Sequence, residues 1–280
     1  MIVQAIMVVI VWIIFNLLMR EKPKTPPSAV ASVKYEPLDF KSAFKAIFSN
    51  RNFLMLVIAY ALPFGAIQAV GTLMSNIFTP FKYSPAELAM MGLILLFTGI
   101  AGAVTVGIVI DKTGYYKKTM HTIGFAVLSS CALILSSLIY WQEVKALIFI
   151  GFGLLGFCAI GYVPLCLSYG AELTFPLQPA LINGTLTLIG SFSSFLIATF
   201  GAFLVKEGSD DENIPEEELL RIKRWRGKYV LIVVIITTFI ATILSFIIKE
   251  DLRRLTYGDD EEVSSGKPKR KPAWMRKKEA

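Results

Sequence analysis

Long apolar runs separated by short polar gaps organise this chain. The runs fall at 2–19, 53–78, 87–110, 120–141, 146–169, 180–205 and 229–248. Each is close to the roughly 20 residues an α-helix needs to cross a bilayer core. None alternates with the period of two that marks the roughly ten-residue strands of a membrane barrel. The pattern predicts an all-α fold: a polytopic membrane helical bundle of seven spans. Composition points the same way. Hydrophobic residues make up 55% and charged residues 18% of the 280 positions, whereas a water-soluble domain carries about 25% charge.

The polar gaps divide the chain into four parts. Residues 1–19 form one isolated span. Residues 20–52 form a linker that opens Pro-rich at Lys22-Pro-Lys-Thr-Pro-Pro27 and continues with Leu38, Phe40, Phe44, Ile47 and Phe48 among Lys41 and Lys45. That spacing fits an amphipathic helix lying on the membrane face, and equally a plain lead-in to the next span. Residues 53–249 hold six spans in a compact block. Residues 250–280 read as a disordered charged tail, whose run Lys267-Pro-Lys-Arg-Lys271 suits anionic lipid and, on a chain with seven spans, not nucleic acid. The gap 206–228 carries Glu216–Glu218 and then Arg221, Lys223, Arg224 and Arg226. These can pair at i,i+4 on a short helix, which reads as a solvated face.

Charge sets the orientation. With the start of the chain outside, the inner segments 20–52, 111–119, 170–179 and 249–280 hold 20 Lys and Arg, against 8 in the outer segments. The positive-inside rule then places the N-terminus outside and the C-terminus in the cytoplasm. Arg20, Lys22 and Lys24 follow the first apolar run, whereas a cleavable signal peptide carries its positive charge first. The run is therefore expected to be a retained span. An abrupt start within a helix also suggests that the chain is truncated.

Candidate chemistry is confined to a few polar positions. The loop Gly107-Ile-Val-Ile-Asp111-Lys-Thr-Gly114-Tyr-Tyr-Lys117-Lys118 joins two spans. Gly107 and Gly114 let the backbone turn and the helices approach, and Lys117 and Lys118 can pair with Asp111 or with lipid phosphate. Glu172 is the sole charge in 170–179. A carboxylate at the membrane edge usually has a partner, so an inner-gate salt bridge with Lys112, Lys117 or Lys118 is expected, against the plainer reading of a solvated turn. No Asp, Glu, Lys or Arg lies deep in a span, which argues against a proton relay. Tyr60, Gln68, Tyr162, Asn183, Thr185 and Thr187 remain, with Pro63 and Pro164 able to break backbone bonding mid-span. Together they outline one wall of a polar, uncharged pathway, or else hydrogen bonds between helices without a ligand.

Gly99, Gly102 and Gly107, and Gly151, Gly153, Gly156 and Gly161, predict close helix packing. Cys131, Cys158 and Cys166 are odd in number and lie in apolar surroundings, so a disulfide frame is not expected. His121 reads as structural, and the sequon Asn183-Gly-Thr185 lies within a span. No catalytic cluster, zinc spacing or phosphate loop is present, so the chain is expected to be no enzyme and to need no cofactor or metal.

The Asp111 loop is a recurrent device of the major facilitator superfamily, and one span, a basic linker and six spans resemble the back half of its twelve-helix fold. Asn50-Arg-Asn-Phe-Leu-Met-Leu-Val-Ile-Ala-Tyr60, Gly161-Tyr-Val-Pro-Leu165, Ala171-Glu-Leu-Thr-Phe-Pro176 and Ile248-Lys-Glu-Asp-Leu-Arg-Arg254 narrow the likeness. In this order they resemble the C-terminal half of the feline leukaemia virus subgroup C receptor-related family of solute carriers, over about residues 45–254. The resemblance implies transport of a small organic solute by alternating access, with choline, ethanolamine or haem as the family's associated substrates. It also implies a latch role for the Asp111 loop and a complementary N-terminal half as partner. In the family pattern a cavity Tyr stands where this chain has Gln68, and a cavity Gln where it has Thr187. A non-transporting membrane subunit is the alternative. A seven-span receptor fits less well, because Asp111 is followed by Lys-Thr, not by Arg-Tyr.

Overall fold

The computed structural model describes residues 2–18, 40–141, 144–206 and 215–249. Among these there is no strand, and the elements are helices joined by short turns. They are α1 (Ile2–Leu18), α2 (Phe40–Ser49), α3 (Arg51–Phe78), α4 (Pro85–Thr113), α5 (Tyr116–Tyr140), α6 (Lys145–Leu173), α7 (Pro179–Lys206) and α8 (Glu216–Ile247). The first part of the linker and the charged tail lie outside the described residues.

Among the described residues six helices, α3 to α8, are long and apolar enough to cross a membrane. The expectation of seven spans is thus approximate. Helix α1 forms where the first span is expected, and its 17 described residues are fewer than those of α3 to α8. Its described side chains from Ala5 to Leu18 are all exposed.

Local chemistry fixes the helix ends. Asn50 caps α3 by accepting from the amides of Asn52 and Phe53, so the chain restarts as a helix one residue after α2 ends. Its side-chain amide also donates to the Leu173 carbonyl at 3.1 Å, tying α3 to the end of α6. Ser84 and Glu87 form a capping box on α4, with Pro85 at the first helical position. Gly114 closes α4 at φ +66, the left-handed region that favours glycine, and returns its amide to the Ile110 carbonyl. The Lys82 backbone also turns left-handed, at φ 65, after the short turn Thr79–Phe81.

Helix α4 packs most extensively on α6, α3 on α7 and α8, and α5 on α6 and α8. Glycine permits the tightest of these approaches. A Cβ added at Gly102 would overlap the Phe157 carbonyl oxygen, and one at Gly156 the Leu95 carbonyl oxygen. Gly99, Gly151 and Gly161 also meet neighbouring helices, whereas a Cβ at Gly153 would make ordinary contact. Gly107 differs from expectation: nothing lies within 4 Å of a Cβ built there, so it faces open space among the described residues.

The segment after residue 215 also departs from its sequence reading. Residues 216–228 continue without a break into α8, whose 32 residues span roughly 48 Å and overshoot the bilayer core by several turns. This extension does more than meet solvent. The Arg224 Nε donates to the Pro80 carbonyl at 2.8 Å, and a Cβ at Gly227 would meet the Ile77 carbonyl oxygen at 3.1 Å. Leu219, Leu220 and Ile222 are partly buried, and Arg224 and Lys228 also lie over the Phe81 ring of the α3–α4 turn at 5.8 Å.

At the same end of the bundle, the Lys145 ammonium pairs with Glu87 at 2.6 Å and lies 5.0 Å from the Tyr83 ring centroid. This links the start of α6 to the start of α4. Burial, and then the Glu87 carboxylate, push the Tyr83 phenol above its ordinary value, so it stays protonated.

Candidate functional site

A cavity of about 70 Å³ lies between α3, α5, α6 and α8. Pro63 stands 12 residues from the start of α3 and Tyr162 stands 11 from the end of α6, so both lie roughly 17 Å deep at 1.5 Å per residue. Pro63, Phe64, Ile67 and Gln68 line the cavity from α3, and Ala159, Ile160, Tyr162 and Val163 line it from α6. Helix α5 adds Gly124 and Val127, and α8 adds Thr238, Ala241 and Thr242. No charged residue is among them.

Two of the six polar residues expected along the pathway, Gln68 and Tyr162, meet at this cavity. Gln68 is exposed and carries the lone lining amide. Tyr162 is buried, and its hydroxyl donates to the Ala59 carbonyl at 3.1 Å. Tyr60 stands beside them, buried, with its ring stacked on Phe64 at 5.2 Å. Asn183 and Thr187 lie elsewhere, since α7 contributes nothing to the lining. Asn183 has a buried Oδ1 without a hydrogen-bond partner among the described residues, and Thr187 is exposed. The Thr185 hydroxyl is spent on the Leu181 carbonyl.

Thr238 and Thr242 are cavity residues that the sequence reading misses. With Ser245 they recur at i, i+4 and i+7 in the apolar second half of α8, and all three are buried. That stripe is a readable signal. Their hydroxyls return to backbone carbonyls of α8, so they present little free polarity to the cavity. Gly124 keeps the wall open opposite them, because a Cβ there would meet the Thr242 hydroxyl at 3.1 Å.

The expected gate residues gather at the other end of the helices. Asp111 is exposed in the last turn of α4, with Gly114 three residues on. Lys117 donates to the Phe246 carbonyl at 3.0 Å and so covers a free carbonyl near the end of α8. Lys118 lies over the Tyr115 ring at 4.7 Å. Both lysines thus have contacts other than the expected Asp111. Glu172 is buried, at 4% exposed. Tyr169, three residues before Glu172 on α6, stacks on Tyr116 of α5 at 5.6 Å. His121 stacks on Phe246 at 3.8 Å. All three cysteines are free, and no group of His, Cys, Asp or Glu that could hold a metal occurs among the described residues.

The fold and this uncharged cavity define a helical bundle built to sit in a membrane. The family model of the Major Facilitator Superfamily matches residues 1–198, and the chain belongs to that superfamily. It is similar to the choline/ethanolamine transporter FLVCR2 of Homo sapiens, at 28% identity over 218 residues, which covers 76% of this chain and 40% of that protein. It is similar as well to the choline/ethanolamine transporter FLVCR1 of Felis catus, at 28% over 240 residues, 84% of this chain and 40% of that protein. The choline/ethanolamine transporter flvcr2a of Danio rerio is 29% identical over 191 residues, 66% of this chain and 40% of that protein. The chain therefore spans about 40% of the length of these relatives.

Proposed function

We propose that this chain forms the back half of a transporter that moves a small organic solute across a membrane by alternating access. The observation that carries the reading is membership of the superfamily together with similarity to proteins named choline/ethanolamine transporters. Choline-like and ethanolamine-like solutes are the substrate class this supports. An uncharged cavity wall with Phe64, Tyr162 and the Gln68 amide suits a compact solute that has an apolar body and one polar or cationic group. In this reading Gln68 meets the solute, Tyr162 and Tyr60 support the pathway wall beside it, and Asn183 and Thr187 face the part of the pathway closed by a complementary N-terminal half. The N-terminus lies outside and the C-terminus in the cytoplasm. Residues 20–52 link the halves, 53–249 form the transporting half, and 250–280 extend into the cytoplasm.

Tracer uptake of choline and ethanolamine by the full-length gene product in a transport-deficient cell tests the substrate. Saturable uptake of one of them is expected, with Gln68→Ala raising KM more than it lowers kcat. No uptake of either solute, with no effect of Gln68→Ala on any other flux, removes the support for this pathway.

The Asp111 loop and Glu172 form the gate in the same reading. Gly107, Asp111, Gly114, Lys117 and Lys118 latch one half to the other on the cytoplasmic side, and the burial of Glu172 fits a hinge region that closes around a carboxylate. Glu172→Gln is expected to shift the balance toward the state open at that side. The measurement is the labelling rate of a cysteine at position 68 from the cytoplasmic face, and an unchanged rate counts against the gate.

A further inference from the structure

Pro63 interrupts the hydrogen-bond ladder of α3. A residue there would ordinarily donate its amide to the carbonyl four residues back, at Ala59, and proline has no amide to give. A carbonyl left open inside a membrane bundle is costly, because no water or lipid group replaces the lost donor. Ala59 is 0% exposed, so its carbonyl must be satisfied by the protein. The donor comes from another helix: the Tyr162 hydroxyl reaches it at 3.1 Å across a sequence separation of 103 residues.

We propose that the Tyr162 hydroxyl substitutes for the amide Pro63 lacks, making Tyr162 a positioning residue that clamps the break in α3 against α6 and sets the cavity wall of Phe64, Ile67 and Gln68. Neighbouring observations support this. Pro63 and Tyr162 line the same cavity, so the clamp sits at the wall it would shape. The other lining hydroxyls, on Thr238 and Thr242, are committed to carbonyls of their own helix and cannot take over. On its other side α3 is held by α7, where a Cβ at Gly190 would come within 2.9 Å of Phe64 and 3.0 Å of Tyr60. The break is thus fixed from two sides, by a polar contact and by a close apolar one. A phenol held by ring packing suits this task, because its oxygen is carried at a fixed reach with few rotatable bonds to order.

The contact exists whether or not the chain transports, while its consequence for the wall deepens the transport reading and rests on it. The test is a double-mutant cycle on the full chain in detergent or nanodiscs, with Tyr162→Phe, Pro63→Ala and the pair. Pro63→Ala restores an amide that can bond the Ala59 carbonyl within the helix, so the phenol becomes redundant there. Tyr162→Phe is expected to lower the melting temperature by about 2–4 °C in the parent background and to leave it unchanged in the Pro63→Ala background. A cysteine at position 68, in a background lacking the three native cysteines, should change its labelling rate on Tyr162→Phe only while Pro63 is present. If Tyr162→Phe fails to fold beside Pro63, folding of the pair supports the clamp. Equal losses in both backgrounds, no loss in either, or failure of both to fold overturn it. Should the transport reading be wrong, uptake by the protein joined to a front half is absent from every variant while the thermal cycle of the chain stays non-additive, so the two failures are told apart.

Discussion

Gly102→Val and Gly156→Val will each prevent accumulation of a monodisperse folded chain. Helices α4 and α6 meet backbone to backbone at these residues. The first atom added at Gly102 overlaps the Phe157 carbonyl oxygen, and at Gly156 it overlaps the Leu95 carbonyl oxygen with the Thr98 hydroxyl 2.6 Å away. A side chain in the way could rotate aside, but a carbonyl fixed in a helix ladder cannot. The helices must separate, and α4 packs on α6 more than any other pair does. Overpacking in a core typically costs about 1–3 kcal/mol and occasionally more. Here the upper part of that range or beyond is expected, because dispersion contacts are lost along the whole seam and apolar burial supplies little drive between helices in lipid. Gly92→Ala, in the same α4 but with nothing within 4 Å, is the control. It should melt as the parent does or be steadier by about 0.5–1 kcal/mol from helix propensity. Size-exclusion profiles and melting curves in detergent decide the matter, and a Gly102→Val chain with the parent's melting temperature would sink the argument.

The spans are legible in the sequence because hydropathy over twenty residues is a property of composition, which tertiary structure cannot override in lipid. The boundaries of α3 to α7 fall within about four residues of the apolar runs, in line with the uncertainty of helix ends. The start of α8 escapes because residues 216–228 are too polar to read as a span, although their spacing already allows a helix. Their partner is the α3–α4 turn, and no local pattern reveals a contact with Pro80 that is 144 residues away. The glycine seam can be read as a class, but not residue by residue. Gly102 and Gly107 look alike in sequence, and only the placement of α6 makes one critical and leaves the other open. The cavity is half legible. Gln68, Tyr162 and Pro63 stand out as polar or ladder-breaking groups in apolar runs, whereas Asn183 and Thr187 stand out equally and lie on a helix that does not line it. Which face of α7 turns inward is decided by Gly65 and Gly190 at the α3–α7 contact, where a Cβ at Gly65 would meet the Ser193 backbone at 2.8 Å.

Expressed alone, the chain is expected to reach the membrane and yet give no saturable uptake of choline or ethanolamine. Joining it to a front half that supplies five further helices ahead of α1 should restore uptake. The reason lies in how unevenly the block encloses its own helices. The most apolar window of α3 is 61% buried, but that of α4 is 22% and that of α7 only 11% buried. An exposed apolar face is at ease in lipid and says nothing by itself. The polar groups on these helices are different: Gln68 and Thr187 are exposed, and Asn183 keeps a buried oxygen without a partner among the described residues. Amides turned toward hydrocarbon are disfavoured, and in working bundles they turn toward a second helix set or an aqueous path. Alternating access also needs two bodies that rock about a shared site, and a single block has nothing to rock against. Uptake should therefore track the presence of the second half, and Gln68→Leu should reduce it only in the joined protein. Saturable uptake by the chain alone, at the level of the joined protein, would show that one half suffices or that two copies pair. The assignment of Gln68, Asn183 and Thr187 to a wall between unlike halves would then fall.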